Sequence, residues 1–474
     1  MTFKPWIASL MPSQPHPNAQ LQTHWNVAQL SVLLLPFSSL LGSAGLLLVA
    51  IGVWQKRFQH VVRRPLNWGL AVLSLLLLLS TALAFKQIDA LLGLFNFLPF
   101  FFVFAGLSEL IQTPAQLRRL AWLLVISSVP VVAIGLGQQF FGLAGHVQIL
   151  WILVDWSIDP TGTPPGRMAS IFFYANVLAS YLAITLTLSL GLWIEAFFGG
   201  QRSVVSGQWS AVSGQLQLKT QNSKVKTSPP STPHSLLTRL FITIAMFGNA
   251  IALILTNSRN AWAIAVFACL AYALYLGWRW LLLGVGVVVS SALGAAFAPP
   301  PGRDWLRAIV PAFFWARLTD QLYTDRPVAQ LRSTQWHFAW SLAQQRPLTG
   351  WGLRNFSPLY QAQMQYFIGH PHNLLLMLSA ETGFPSALLF FGLVGWVVVQ
   401  GSLLLYDQMP LSISTTSHHD GNDRLVYFSY LVAFTGCALF SFLDITLFDV
   451  RINLLGWLLL AAIAGVVYQG KGKG

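Results

Sequence analysis

The chain has 474 residues, of which 55% are apolar and only 9% are charged, and its formal net charge is +13. Apolar runs recur along it at about 20 residues, the length that crosses a bilayer as a helix, and this excludes an ordinary soluble domain. A membrane β-barrel would instead show segments of about 10 residues that alternate apolar and polar side chains. The composition therefore predicts an all-α, polytopic helical membrane protein.

The 27 lysines and arginines are scattered over short connections and form no continuous basic stripe. They therefore predict membrane topology, and we expect no nucleic-acid partner. Cys269 and Cys437 both lie inside apolar runs, so neither a disulfide framework nor a zinc site is expected. The N-terminal sequence lacks the pattern of a removable signal peptide, and we expect the first span to act as the targeting element.

Eleven apolar windows follow one another, and each is wide enough to cross a membrane. They lie at roughly 27–54, 66–85, 89–111, 118–141, 168–198, 237–256, 260–278, 280–298, 383–406, 425–443 and 452–469. The first window contains Pro36, so two short helices are an alternative there, and the number of spans would then be twelve.

The basic residues are distributed unequally between the two sides of the predicted membrane. If the connection at 55–65 is cytoplasmic, fifteen lysines and arginines lie on that side and four in the short outer connections, as the positive-inside rule requires. We therefore expect three parts. These are an N-terminal transmembrane bundle at 1–298, an outer loop with the candidate active site at 299–382, and C-terminal transmembrane helices at 383–474.

The two long connections differ in composition. The cytoplasmic one, 199–235, is polar and predicted to be disordered. The outer loop is rich in aromatic residues and should fold against the membrane surface. Asp325 and Arg326 mark a helix start there, and apolar spacing predicts an amphipathic helix at 327–345, with Arg332 and Trp336 one turn apart.

The stretch 332–383 gathers ionisable residues beside membrane spans, which makes it a candidate functional site. Its pattern consists of Arg332 and Trp336, then P-L-x-G-x-G-x-x-N-F from Pro347 to Phe356, then H-N-x-x-L with a glutamate and a glycine downstream (His372, Asn373, Leu376, Glu381, Gly383). Upstream, Arg259 lies in S-R-x-x-W. This pattern resembles the signature of the O-antigen ligase and polymerase superfamily, and its cyanobacterial branch in particular.

The resemblance implies a membrane glycosyltransferase of the O-antigen ligase type. Such an enzyme transfers a glycan from a polyprenyl-diphosphate carrier to a hydroxyl acceptor, on the periplasmic face of the cytoplasmic membrane. The implied partners are the lipid-linked donor, a glycan, lipid or protein acceptor, and the bilayer. No nucleotide-binding loop and no D-x-D element occurs, so we expect neither a cofactor nor a metal.

His372 is the candidate catalytic residue. It stands where an extended segment meets an apolar run, and an imidazole suits a general base that takes a proton from a sugar hydroxyl. The alternative is a histidine that caps a helix at the lipid headgroups. His370 and His372 also suggest a metal site, but no third ligand lies at a usual spacing.

Arginine suits a diphosphate because its planar fork donates two parallel charge-assisted hydrogen bonds. The resemblance implies this role for Arg259, Arg332 and Arg167; the alternatives are a snorkelling arginine at a helix end and a solvated helix face. Arg167 is the weakest match, because Ala175 stands where the family has proline, although Asn176 is kept.

Asn373, Glu381 and Trp336 are candidate supporting residues. Glu381 follows His372 by nine residues, half a turn out of phase in a straight helix, so we expect it to be structural.

Two other functions stay open. Some members of the cyanobacterial branch have been labelled inorganic carbon transporters, so a bicarbonate transporter or a transport-associated protein is the main alternative. A transporter should show internal repeats and broken helices at the membrane midplane, and no repeat is visible. A scaffold without chemistry explains the motif least well.

Overall fold

The computed structural model describes residues 15–150, 153–198, 235–319, 327–407 and 419–471. Within these ranges, eleven helical segments are long and apolar enough to cross a membrane, which confirms the predicted all-α architecture. The loop predicted to be disordered, 199–235, lies outside the described residues apart from Ser235. The same is true of Asp325 and Arg326, the predicted helix start.

Within its described residues, the N-terminal part contains ten α-helices and one hairpin that was not predicted. The helices are α1 (Gln22–Leu34), α2 (Ser39–Val62), α3 (Pro65–Ala82), α4 (Gln87–Leu94), α5 (Leu98–Leu110), α6 (Pro114–Phe141), α7 (Ala175–Phe198), α8 (Leu236–Leu255), α9 (Arg259–Leu276) and α10 (Arg279–Phe297). Helices α4 and α5 together form one spanning segment. Strands β1 (Gly145–Ile149) and β2 (Val154–Ile158) pair antiparallel between α6 and α7.

The outer segment and the C-terminal part contain seven more helices. They are α11 (Gly302–Ile309), α12 (Ala312–Leu318), α13 (Arg332–Gln345), α14 (Phe356–Met364), α15 (Leu374–Asp407), α16 (His419–Ser441) and α17 (Val450–Lys471). A short 3-10 turn, Val328–Gln330, precedes α13.

The first predicted window, 27–54, contains two helices rather than one, which was the alternative its proline suggested. The turn before α1 lies at one end of the bundle, where Lys56 donates to the carbonyl of Gln20 at 2.9 Å. The turn after α1 lies at the other end, where the indole of Trp156 donates to the carbonyl of Phe37 at 2.8 Å. Helix α1 thus runs antiparallel to α2, and it is shorter than the eleven helices that are long enough to cross a membrane.

Successive connections between the helices lie at opposite ends of the bundle, as expected for a chain that crosses a membrane repeatedly. At one end, Asn355 of the outer segment accepts from the backbone N–H of Lys86 at 2.8 Å. At the opposite end, Arg118 donates to Asp423 at 2.8 Å. Which end faces the cytoplasm stays a prediction from the basic residues.

Two predicted helix starts are wrong. Helix α7 begins at Ala175 and not at 168, because the carbonyl oxygen of the Gln138 side chain accepts from two backbone N–H groups in the irregular segment before it. Helix α13 begins at Arg332 and not at 327, because Leu331 is extended, with φ −71° and ψ 132°. Helix α15 begins at Leu374, where the extended segment around His372 meets the apolar run, because Asn373 caps it; the apolar window at 383–406 covers only the later part of this helix.

A close crossing of two backbones fixes the outer segment on α15. Gly383 interrupts the helix with φ +79°, and a Cβ there would lie 2.4 Å from the carbonyl oxygen of Leu348. The N–H of Gly352 donates to the carbonyl of Glu381 at 2.7 Å, and the Glu381 carboxylate accepts from the N–H of Phe356 at 3.1 Å. The glycines of the motif therefore allow the crossing, and Glu381 satisfies backbone donors in it.

Candidate functional site

His372 lies in the turn that leads into α15, where its backbone is left-handed (φ 54°). Asn373 caps the helix through its side-chain oxygen, which accepts from the first turn at 3.0 Å, and its nitrogen donates to the carbonyl of Phe442 at 3.1 Å. From α13, the indole of Trp336 donates to the carbonyl of Pro371 at 2.9 Å. Three contacts from different elements thus hold the segment that carries the imidazole.

The partner of the imidazole is Asp444, which sequence reasoning missed. It lies in the connection between α16 and α17, and its Oδ1 is 2.7 Å from the Nδ1 of His372. Its Oδ2 accepts from the Asn176 side chain, and the oxygen of Asn176 in turn accepts from Arg167. A continuous chain of hydrogen bonds therefore joins Arg167 to His372.

Asp444 is ionised in this chain. Burial by itself would raise its pKa, but the hydrogen bond from His372, the charges that the two histidines carry when they are protonated, and the charge of Arg332 outweigh burial and lower the pKa to about 2. A carboxylate only accepts hydrogen bonds, so Nδ1 of His372 carries the proton. The Nε2 of a neutral imidazole is then the atom that accepts a proton from another group.

His370 lies beside the pair as a neutral neighbour. Its ring stacks on Phe448 at 5.4 Å and lies 4.5 Å from the ring of His372. Burial first, and then the charges of His372 and Arg332, lower the pKa of His370 to about 4, against the opposing effect of Asp444. Its Nδ1 accepts from the backbone N–H of His372 at 3.2 Å, which helps to hold the turn.

A third possible metal ligand does exist, contrary to expectation. Ligand atoms of His370, His372 and Asp444 all lie within 4.8 Å of one another. The spacing of residues in the sequence could not indicate Asp444 as a ligand, because it is far from the histidines along the chain. These side chains could hold a divalent ion only if the hydrogen bond between His372 and Asp444 were exchanged for two metal bonds.

The three predicted arginines lie around this chain in different ways. Arg167 is buried, and its Nε donates to the carbonyl of Thr256 at 2.8 Å, three residues before Arg259 begins α9. Arg332 begins α13 and is close enough to Asp444 to lower the pKa of that carboxyl group. The structure therefore brings all three arginines to the end of the bundle that carries His372.

A cavity of about 630 Å³ lies beside the imidazole, and its lining combines ionisable and amide side chains with apolar ones such as Phe367 and Phe448; we call it the polar cavity. Some of its lining residues have already been described, namely Asn176, His370, His372 and Asp444. The others come from α4, from the turn before α14 and from α14 itself, and they include Asp89, Arg354, Ser357 and Gln361. Arg259 and Arg332 are not among the described residues that line it. The space beside His372 is thus large enough for a sugar ring and lined by groups that bind hydroxyls.

An apolar groove of about 360 Å³ lies between α15, α16 and α17. Leu374, Phe442 and Leu447 line one part of it, and these residues are the close sequence neighbours of His372 and Asp444, which line the cavity. The polar cavity and the apolar groove therefore meet at the segments that carry the imidazole and its carboxylate.

Asp444 could have been found in the sequence. It is one of 14 acidic residues in the chain and stands at the end of an apolar window, where an ionisable side chain is costly unless it is paired. The positive-inside rule considers only lysine and arginine, so it gives no weight to an acidic residue such as Asp444. Glu381, by contrast, lies in the backbone crossing and is not among the described residues that line the cavity.

The family model described as O-antigen ligase matches residues 241–391. This range includes Arg259, Arg332 and His372, whereas Arg167, Asn176 and Asp444 lie outside it. Among proteins with curated descriptions, none matches the chain.

Proposed function

We propose that the protein transfers a glycan from a polyprenyl-diphosphate carrier to a hydroxyl acceptor, and the match of residues 241–391 to the family model described as O-antigen ligase supports this. The observation that carries the proposal is the pair formed by His372 and Asp444 at the point where a polar cavity meets an apolar groove. A reaction between a glycan acceptor and a donor with a long hydrocarbon chain needs both environments side by side.

In the proposed reaction, Nε2 of His372 takes the proton of the acceptor hydroxyl while its oxygen attacks the anomeric carbon of the donor sugar. The bond between that carbon and the diphosphate oxygen breaks, and polyprenyl diphosphate leaves with the electron pair. Asp444 holds the tautomer in which Nε2 is free and stabilises the imidazolium that forms, as the buried aspartate does in Ser-His-Asp triads.

The arginines stabilise the charge that develops on the leaving diphosphate. Arg259 and Arg332 are the proposed direct ligands. Arg167 is a weaker candidate, because its Nε and a terminal nitrogen already donate to Thr256 and Asn176. Its contribution comes from its charge and from holding Asn176 against Asp444.

The unequal distribution of lysine and arginine between the two sides favours an inner-membrane protein whose site lies on the periplasmic side. The hydrocarbon chain of the donor would lie in the apolar groove, with its diphosphate at the membrane surface. The acceptor is a lipid-A core sugar, a growing glycan or a protein side chain, and each of these would use the same site.

The test uses purified protein in nanodiscs, lipid-linked glycan extracted from the producing cells, and a surface glycan of those cells as acceptor. We expect the acceptor to gain mass without any added nucleotide. The parallel measurement is uptake of labelled bicarbonate by proteoliposomes. Uptake without glycan transfer would favour the inorganic carbon transporter and contradict the proposal.

A further inference from the structure

The wall of the cavity that faces His372 and Asp444 consists of side chains to which neither the family motif nor the proposed chemistry gives a role. Asp89 comes from the first turn of α4, and Arg354 from the turn before α14. Ser357 and Gln361 lie one turn apart on α14, so they present neighbouring groups to the cavity.

A hydrogen-bonded link holds the two charged members of this wall in place. Asn355 accepts from the N–H of Lys86 at 2.8 Å and donates to the carbonyl of the same residue at 3.2 Å. Asp89 follows Lys86 by three residues and Arg354 precedes Asn355 directly. The link therefore fixes the two backbones that carry the carboxylate and the guanidinium.

Arg354 is also held in an unusual backbone conformation, with φ +61°. A non-glycine residue is seldom left-handed unless its surroundings determine it, and such positions cluster at ligand sites. Among the ion pairs of the described residues there is none between Arg354 and Asp89. Both groups thus face the cavity with hydrogen-bonding capacity for a ligand.

The chemistry of this wall suits a sugar better than a phosphate. Asp89 accepts hydrogen bonds, Arg354 donates in a planar fork, and the amide of Gln361 does both, so vicinal hydroxyls can be bound in either direction. The carboxylate and the guanidinium cancel in charge, so the wall has no excess of positive charge for an anion. Phe367, 65% exposed at the same cavity, offers an apolar surface for the C–H face of a ring.

We propose that Asp89, Arg354 and Gln361 form the subsite for the terminal sugar of the acceptor glycan and select which acceptor is used. The inference rests on the proposed function, in which the acceptor hydroxyl must reach His372. It assigns the cavity to the acceptor because Arg259 and Arg332, the proposed diphosphate ligands, are not among the described residues that line it.

The experiment measures binding separately from transfer. The probe is the oligosaccharide released by mild acid from the surface glycan of the producing cells, labelled at its reducing end. Its affinity for the full-length protein in nanodiscs is measured by fluorescence anisotropy for wild type, Asp89→Asn, Gln361→Ala and Gln363→Ala. Gln363 is the matched control, since it is an exposed glutamine on the same helix that is not among the residues lining the cavity.

We expect Gln361→Ala to weaken binding about 5-fold and Asp89→Asn about 10-fold, the losses typical of a neutral and a charge-assisted hydrogen bond. Gln363→Ala should bind like wild type. Equal affinity in all four proteins, or no binding to wild type, would overturn the subsite. A wild type that binds the probe but transfers no glycan would contradict the proposed function and leave the subsite standing.

Discussion

The carboxylate of Asp444 decides what the imidazole of His372 can do. At 2.7 Å it fixes the proton on Nδ1, so that Nε2 is the nitrogen left to act as the base in the proposed reaction. A histidine at a membrane boundary was visible in the sequence, and so was its suitability as a base. Its partner 72 residues away was not, because the contact depends on how the last two spans pack against the start of α15.

Replacing Asp444 by Asn should show whether this carboxylate positions the imidazole of His372 or only stabilises the fold. An amide at this position can donate to Nδ1 and would favour the tautomer with the proton on Nε2, so we expect the transfer rate to fall about 10²–10⁴-fold. Donor affinity should change little. Asp449→Asn is the control, since Asp449 lines the same cavity but pairs with Arg451 at 2.6 Å.

The measurement for this pair is the transfer rate at saturating donor and acceptor, together with thermal stability. Equal rates in Asp444→Asn and Asp449→Asn would show that the carboxylate does not act through the imidazole. A parallel loss of stability and donor binding in Asp444→Asn would show a structural role instead.

His370 should make the protein sensitive to acid. Its pKa in the folded state is lowered to about 4, against an ordinary value of 6.5, because it is partly buried and lies beside His372 and Arg332. The unfolded chain therefore binds more protons between these values, and stability falls as pH decreases from 6.5 toward 4. We expect His370→Gln to show a smaller decrease in Tm than wild type when the pH is lowered from 7.5 to 5. An equal decrease would contradict the burial of this imidazole.

The backbone crossing between the outer segment and α15 explains the glycines of the motif. The sequence showed Gly350, Gly352 and Gly383 as parts of one pattern. It did not show that Gly350 lies against the backbone of Glu381 and that Gly383 lies against the backbone of Leu348. A Cβ at Gly350 would lie 2.3 Å from the carbonyl carbon of Glu381. The pattern is therefore architectural, and it holds α15 so that its first turn presents His372.

Gly383→Ala should destabilise the protein. The added Cβ would meet the carbonyl oxygen of Leu348 at 2.4 Å, and φ +79° is strained for any L-residue with a side chain, so we expect a loss of at least about 1–3 kcal/mol. Gly392→Ala is the control, because it lies in the same helix with no atom within 4 Å of the added Cβ. Thermal unfolding in detergent measures both, and equal stability of the two variants would contradict the crossing.

Element boundaries were predicted less well than element number. Apolar windows located every span because hydrophobicity alone decides which segments enter a bilayer. The starts of α7 and α13 were displaced because side-chain hydrogen bonds and extended residues set them, and hydropathy does not detect either. The start of α15 was easier to predict, because an extended segment meets an apolar run beside His372. The hairpin at 145–158 was missed because its strands are short and exposed.

The protein as a whole has two distinct ends, and the site lies at one of them. Alternation of the connections is a property of the structure, whereas the assignment of the ends to cytoplasm and periplasm comes from fifteen basic residues against four. We predict that Gln363→Cys reacts with an impermeant thiol reagent in intact cells and that Gln59→Cys does not. Both glutamines are exposed, so the two variants are matched. The reverse labelling pattern would place the site on the cytoplasmic side.

The most direct test of the central claim is to measure donor affinity and transfer rate separately for His372→Ala and Arg259→Lys, on purified protein in nanodiscs. His372→Ala removes the proton acceptor and leaves the arginines in place, so we predict near-normal binding of the lipid-linked donor and transfer reduced by about 10²–10⁴-fold. Arg259→Lys keeps the charge and loses the bidentate fork, so donor binding should weaken by about 1–3 kcal/mol. Near-normal transfer by His372→Ala would contradict the general-base role and leave electrostatic stabilisation by the arginines as the source of catalysis.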